Sequence, residues 1–208
     1  MTYAINSDET ELLVFAREPV LGQVKTRLAA DIGPEAALAV YRELLALTAA
    51  AVAAARGPAT VWLAAAPAPA ADPAQPRPEW PGRPWRVQPP LASLGARMAY
   101  AFAEAFAGGA GRVVIIGTDC PGLTPALLRQ AFELLQTHDL VLGPAADGGY
   151  YLLGLREFQP DLFADKQWSS ASVLADTLAD AARLELRVAQ LPVLADVDSA
   201  RDVAVWRG

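Results

Sequence analysis

The 208-residue sequence is nearly without histidine and cysteine: His138 and Cys120 are the single examples. A lone cysteine excludes an internal disulfide, which suits a reducing compartment. One Cys and one His cannot build a zinc site from the usual ligands. His138 falls where a helix should end, a place where terminal carbonyls are its ordinary partners. A Ser-His-Asp triad therefore has no good base, and no Gly-x-Ser-x-Gly elbow occurs. Lysine is also scarce (Lys25 and Lys166 only), and the formal net charge is −6. An acidic chain is a poor partner for nucleic acid at large or for an anionic membrane. The opening MTYAINSDETELL lacks the basic-then-apolar order of a secretory signal. The longest apolar run, residues 44–55, spans twelve positions with Thr48 inside it. That is short of the roughly 20 residues that cross a bilayer. The expectation is a cytoplasmic protein with no membrane span and no nucleic-acid partner.

What is present alternates strand and helix. ELLVFAR (11–17), TVWLAA (60–65) and RVVIIG (112–117) are short apolar runs of the kind buried in parallel sheets. DLVLGPA (139–145), GYYLLGL (149–155), WRVQ (85–88) and ELRVAQL (185–191) are further strands. A long helix opens at Pro34-Glu35 and closes at Arg56-Gly57-Pro58. Its core stripe is Leu38, Tyr41, Leu45, Thr48 and Val52. Ser93 caps a helix with Leu94, Met98, Phe102 and Phe106 on one face, ended by Gly108-Gly109. Thr124-Pro125 starts another helix running to about residue 137, and a further helix covers about 170–182. Ser199 with Asp202 reads as a capping box before the last one. Residues 67–90 hold nine of the seventeen prolines and read as a long surface loop leading into WRVQ. Length and alternation together predict one domain, residues 1–208, with a mostly parallel, doubly covered sheet.

Ligands of such sheets gather beyond the carboxyl ends of the strands, at a reversal of strand order. After the first strand, REPVLGQVKTRL (17–28) sets Arg17, Lys25 and Arg27 on one loop. Three cations there suit a di- or triphosphate, lysine as a point charge and arginine as a bidentate fork. A helix starting near Gly22 would add its N-terminal amides. A solvated basic turn is the plain alternative, and Gly22 and Lys25 are too far apart for a P-loop. After RVVIIG comes Asp119, a carboxylate that is costly at such a place without a cation. Magnesium takes one or two carboxylates together with phosphate oxygens, although a turn or cap residue also fits. Asp147-Gly148-Gly149-Tyr150 lies between two strands at the same level. It is either a hairpin turn or a place where backbone nears a ligand and a tyrosine stacks on a ring. Asp196-Val197-Asp198 adds carboxylates before the final helix. The glycines of AGGAGR (107–112) precede a strand, so they form a turn and not a dinucleotide fingerprint.

In this order, REPVLGQVKTRL, Gln88 with LGARM (94–98), IIGTDCPGLT (115–124), GPAADGGYYLLGL (143–155) and DVDSARDV (196–203) resemble a bacterial branch of the glycosyltransferase-A-like, nucleotide-diphospho-sugar transferase superfamily. The resemblance spans about residues 11–204. It implies a three-layer α/β/α sandwich with a mostly parallel, mixed central sheet. It also implies that Arg17, Lys25 and Arg27 bind donor phosphates, as in related phospholactate guanylyltransferase-type nucleotidyltransferases. Gln88 and Gly95 would meet the nucleobase, and Gly148, Gly149 and Tyr150 the substrate. Asp119 and Asp198 would hold Mg2+ or Mn2+, and Asp147 would act on the sugar or the acceptor. Three departures stand out. Ser199-Ala200-Arg201 replaces Thr-Pro-Glu after Asp198, Cys120-Pro121 follows Asp119 where an Asp-x-Asp is typical, and the Gly-rich opening loop is missing. The expected activity is metal-dependent transfer from a nucleotide-diphospho-sugar to a small-molecule acceptor. The alternatives are nucleotidyl transfer from a nucleoside triphosphate to a phosphorylated small molecule, and a non-catalytic nucleotide-binding module.

Overall fold

The computed structural model describes residues 10–64 and 77–208. Residues 1–9 of the opening segment, the last residue of TVWLAA and the proline-rich stretch up to residue 76 lie outside the described residues. In chain order the elements are β1 (Thr10–Arg17), α1 (Thr26–Ile32), α2 (Pro34–Ala55), β2 (Ala59–Ala64), β3 (Trp85–Val87), α3 (Leu94–Ala107) and β4 (Arg112–Ile116). Then come α4 (Pro125–Leu134), β5 (Leu140–Pro144), β6 (Tyr150–Leu155), a 3-10 turn (Pro160–Phe163), α5 (Val173–Arg183), β7 (Val188–Gln190) and α6 (Ala200–Arg207).

The strands form one seven-stranded sheet in the order β3-β2-β1-β4-β6-β5-β7. β1 pairs in parallel with β2 and β4, β2 with β3, and β5 with β7, while β6 runs antiparallel to both neighbours. The sheet is thus mostly parallel and mixed, as the alternation of strand and helix predicts. Side-chain alternation sends Leu12, Val14 and Ala16 of β1 to one face, in a core shared with α2 and α4. Leu13 faces the other side, with Met98 and Phe102 of α3 and Ala181 of α5. Two helical layers therefore cover the sheet, giving the three-layer sandwich. Order reverses at β1, whose successor β2 lies on one side and β4 on the other, and here a cleft opens at the strand ends.

The caps fall where the sequence places them. Ser93 accepts from the Ala96 amide, Thr124 from the Leu127 amide, and Ser199 and Asp202 form the reciprocal box. α2 departs from its expected stripe. Its buried face is double: Tyr41, Leu45 and Val52 reach the sheet, while Ala37, Val40 and Leu44 pack with Leu28 of α1 and Val197. The 22-residue α2 is also long and apolar enough to cross a membrane, an 18-residue window within it having mean hydropathy 1.6. The twelve-residue run underestimated it because Tyr41, Arg42 and Glu43 interrupt the apolar stretch without breaking the helix. Here nine of its residues, Thr48 among them, are buried in the core, while Leu47 is exposed.

Candidate functional site

Beyond the ends of β1 and β4 lies a cleft of about 530 Å³, within the size range of small-molecule sites. The expected basic loop and the carboxylate after β4 meet in it. Lys25 sits in the left-handed region, φ 48°, immediately before α1. That conformation costs a non-glycine residue on the order of 1 kcal/mol. It aims the ammonium at two acids: Lys25 Nζ is 2.5 Å from Asp119 Oδ1 and 2.8 Å from Asp198 Oδ1, with the lysine side chain only 5% exposed. Burial alone would depress the Lys25 pKa, but Asp119 and then Asp198 outweigh it and hold it above its ordinary value. The two acids are brought together by backbone, since the Val197 amide donates to the Asp119 carbonyl at 3.0 Å.

Tyr41 of α2 fixes the neighbouring strand end. Its hydroxyl accepts from the Arg17 amide at 2.8 Å and donates to the Arg17 carbonyl at 3.1 Å. Burial raises its pKa, keeping it a neutral phenol. Arg27 points outward, its side chain 81% exposed and 3.8 Å from Asp198. The loop after β1 therefore does not present three free cations. Lys25 is neutralised, Arg27 is at the rim, and Arg17 lines the cleft. The helix expected near Gly22 begins instead at Thr26, because Lys25 breaks helical geometry just before it.

Gln88, read as a nucleobase contact, is buried and engaged at both ends. Its Nε2 donates to the Trp62 carbonyl at 2.9 Å, and its Oε1 accepts from Arg97 at 2.8 Å. Arg97, on the first turn of α3, also lines the cleft. LGARM gives Arg97 no role by local pattern; its place in the first turn of a Ser93-capped helix is the signal available in the sequence. Gly95 is where the Trp168 indole packs: a Cβ added there would land inside the ring. Close approach of an aromatic side chain is thus sufficient reason for the glycine.

Asp147 and Gly149 form the β5–β6 hairpin turn, with the Gly149 amide donating to Asp147 Oδ1 at 2.8 Å. Gly148 has φ 90°, and a Cβ there would strike the Ala171 carbonyl. The turn lies at the cleft, so the two readings of Asp147-Gly148-Gly149-Tyr150 coincide in space: a hairpin whose tip lines the site. Tyr150 also lines the cleft, but its buried hydroxyl is beside Thr177, and desolvation pushes its pKa up. Tyr151 is buried, donates to the Pro192 carbonyl and packs over Gly143. Asp196 lies nearby; burial and then the Asp147 and Asp198 charges raise its pKa. Among the described residues no cluster of three metal-ligating side chains forms. Burial pushes the Cys120 thiol up to about 12, which leaves it an inert, packed residue. His138 Nδ1 lies 3.1 Å from the Leu134 carbonyl at the end of α4, away from the cleft.

The seven-stranded, mostly parallel sheet with β6 reversed and helices on both faces is the nucleotide-diphospho-sugar transferase type of fold. A candidate nucleotide-diphospho-sugar transferase from Desulfovibrio desulfuricans G20 has the same architecture, with TM-score 0.87 and 34% identity over 97% of this chain and 87% of that one. Residues 47–170 match the family described as uncharacterized protein conserved in bacteria (DUF2064), and the chain belongs to that family. More distant relatives share the fold. Rv0371c from Mycobacterium tuberculosis H37Rv, in complex with manganese, has TM-score 0.58 and 19% identity over 96% of this chain and 98% of that one. The 4-diphosphocytidyl-2C-methyl-D-erythritol synthase from Anaerococcus prevotii has TM-score 0.59 and 8% identity over 96% and 97%. No curated protein matches the sequence.

Proposed function

We propose that this protein is a transferase of the cytoplasm that takes a nucleotide-diphospho-sugar and passes the sugar to a small-molecule acceptor with help from Mg2+ or Mn2+. The observation that carries the reading is the convergence of Asp119 and Asp198 on one point at the switch in strand order, filled by the Lys25 ammonium. Two carboxylates aimed at a cation suit a hard divalent ion whose remaining ligands are water and phosphate oxygens. The candidate transferase from D. desulfuricans, at 34% identity over nearly the whole chain, supports the same class of donor.

In this reading Asp119 and Asp198 hold the ion. When bound, it supplies positive charge against the departing phosphates. With the ion on the two acids, Lys25 would be free to face the donor phosphates together with Arg17, with Arg27 at the rim. Asp147, exposed at the hairpin tip, is placed to contact the sugar or to take the acceptor proton, and Gly148, Gly149 and Tyr150 shape that wall. Gln88 and Gly95 act on the nucleobase side through Arg97 and Trp168, which they position.

A second reading is nucleotidyl transfer from a nucleoside triphosphate to a phosphorylated acceptor. It is favoured by cationic capacity beyond a diphosphate, because Arg17 and Arg97 both face the cleft without an acid partner among the described residues.

Thermal unfolding against nucleotide-diphospho-sugars and nucleoside triphosphates, each with and without Mn2+, tests the two readings. A metal-dependent rise with the sugar nucleotides, with sugar transfer detected in product analysis, supports the first. A rise with triphosphates and release of pyrophosphate supports the second. No metal-dependent shift with either class removes both. Asp119→Asn is expected to keep the fold and weaken metal-supported nucleotide binding by roughly 10–100-fold or more, measured by calorimetry.

A further inference from the structure

The cleft is divided by charge. Its carboxylates, Asp119, Asp147, Asp196 and Asp198, come from the β4 side of the strand reversal, and Lys25 reaches across to two of them. Arg17 and Arg97 belong to the β1–β3 side. Neither guanidinium meets a carboxylate among the described residues. Glu18, the acid next to Arg17, is taken by Arg77, with NH2 2.8 Å from its Oε1. Arg97 is held by neutral groups alone: the Gln88 Oε1 at 2.8 Å and the Ser93 carbonyl at 3.4 Å. Gln88 is only 6% exposed and is itself fixed through the Trp62 carbonyl. A half-buried guanidinium is thus mounted on a buried amide, in a cleft that a second guanidinium also lines, with no carboxylate partner among the described residues. Burial first and the Arg17 charge second hold the Arg97 pKa below its ordinary value. Two guanidinium groups lining one cleft without carboxylate partners suit an anion, and their planar forks suit a phosphoryl group.

We propose that Arg97, mounted on Gln88, joins Arg17 in a phosphoryl-binding station separate from the Lys25–Asp119–Asp198 cluster and independent of any metal ion. Which substrate brings the phosphoryl group, donor or acceptor, rests on the transferase reading above; the station itself does not. A donor fills it with an outer phosphate of its chain, and a phosphorylated acceptor with its single phosphate.

The test is calorimetry of the full chain with inorganic pyrophosphate in the presence of EDTA. The wild type is expected to bind. Arg97→Gln is expected to lose about tenfold or more in affinity and Arg97→Lys to retain part of it, because the charge survives without the fork. Gln88→Glu supplies the missing carboxylate to Arg97 and is expected to weaken pyrophosphate binding while leaving Arg97 in place. It carries the test if Arg97→Gln fails to fold, which circular dichroism reports. Pyrophosphate binding that is absent from the wild type, or unchanged in Arg97→Gln or Gln88→Glu, overturns the proposal. Repeating the titration with a nucleoside triphosphate and with a hexose phosphate assigns the source: the ligand whose affinity falls in Arg97→Gln is the one that brings the group. Arg97-dependent pyrophosphate binding in a protein that no nucleotide stabilises leaves the station standing and removes the transferase reading. Metal-supported nucleotide binding that ignores Arg97 does the reverse.

Discussion

Lys25 occupies the point that Asp119 and Asp198 both aim at, so a divalent ion held there as proposed would compete with the ammonium. Its side chain is 5% exposed, and removing it leaves two facing acids without a cation. Lys25→Met is therefore expected to bind Mn2+ more tightly than wild type in the absence of nucleotide, by about tenfold, since like charges held close favour any cation between them. Mn2+ paramagnetic resonance titration reads this directly, and an unchanged affinity would place the ammonium elsewhere in solution. Gly95 offers a second residue-scale test. Gly95→Ala forces a methyl into the Trp168 ring and is expected to destabilise the protein by about 1–3 kcal/mol, as overpacking does. Denaturant unfolding of Gly95→Ala/Trp168→Ala should recover part of that loss, and simple additivity of the two would deny the contact. Both features were only half legible in the chain. The charges of Lys25, Asp119 and Asp198 could be read one by one. Their neutralisation of each other depends on a 173-residue separation being closed by the fold. The packing of Trp168 on Gly95 joins residues 73 positions apart (95 to 168), beyond any local pattern.

At the scale of elements, local chemistry was the better guide. Ser93, Thr124 and Ser199 start helices because their side-chain oxygens take an orphan amide, an effect confined to one turn and hence visible in sequence. The start of α1 was less legible, at Thr26 rather than near Gly22, because its first turn has no side-chain cap and follows Lys25 in the left-handed region. β7 was read long, at 185–191, but pairs only over Val188–Gln190. Its start is pinned by Arg187, which donates to Asp139 Oδ2 at 2.9 Å and Oδ1 at 2.8 Å. Those bonds draw the Asp139 pKa down from 3.8 to about 2. A carboxylate depressed by folding stabilises the protein above its unfolded pKa, and that contribution disappears as pH falls through the folded value. Asp139→Asn is thus expected to lower the melting temperature by roughly 1–3 °C near pH 7, as an exposed bidentate pair allows. The gap should narrow below about pH 4 and close near pH 2. A gap that is constant with pH would assign the effect to the amide substitution and not to the ion pair.

For the whole molecule, the arrangement that matters is the reversal of strand order between β1 and β4, which puts arginines on one wall of the cleft and carboxylates on the other. Neither wall alone is comfortable. Burial first, and then the Asp147 and Asp198 charges, raise the Asp196 pKa, and burial first, and then the Arg17 charge, lower that of Arg97. A polyphosphate satisfies one wall and a divalent ion the other, and each also attracts the other ligand, so the two should bind cooperatively. Melting curves with a nucleotide diphosphate alone, Mn2+ alone and both together measure this. Saturation at about a hundred times a dissociation constant adds roughly 2.7 kcal/mol for each ligand if they act independently. The pair is expected to exceed the sum of the separate shifts, and the excess to vanish in Asp119→Asn, where the acidic wall has lost a charge. Stabilisation that is merely additive in the wild type would mean that the two walls serve unrelated ligands, which the shared position of Lys25 between them argues against.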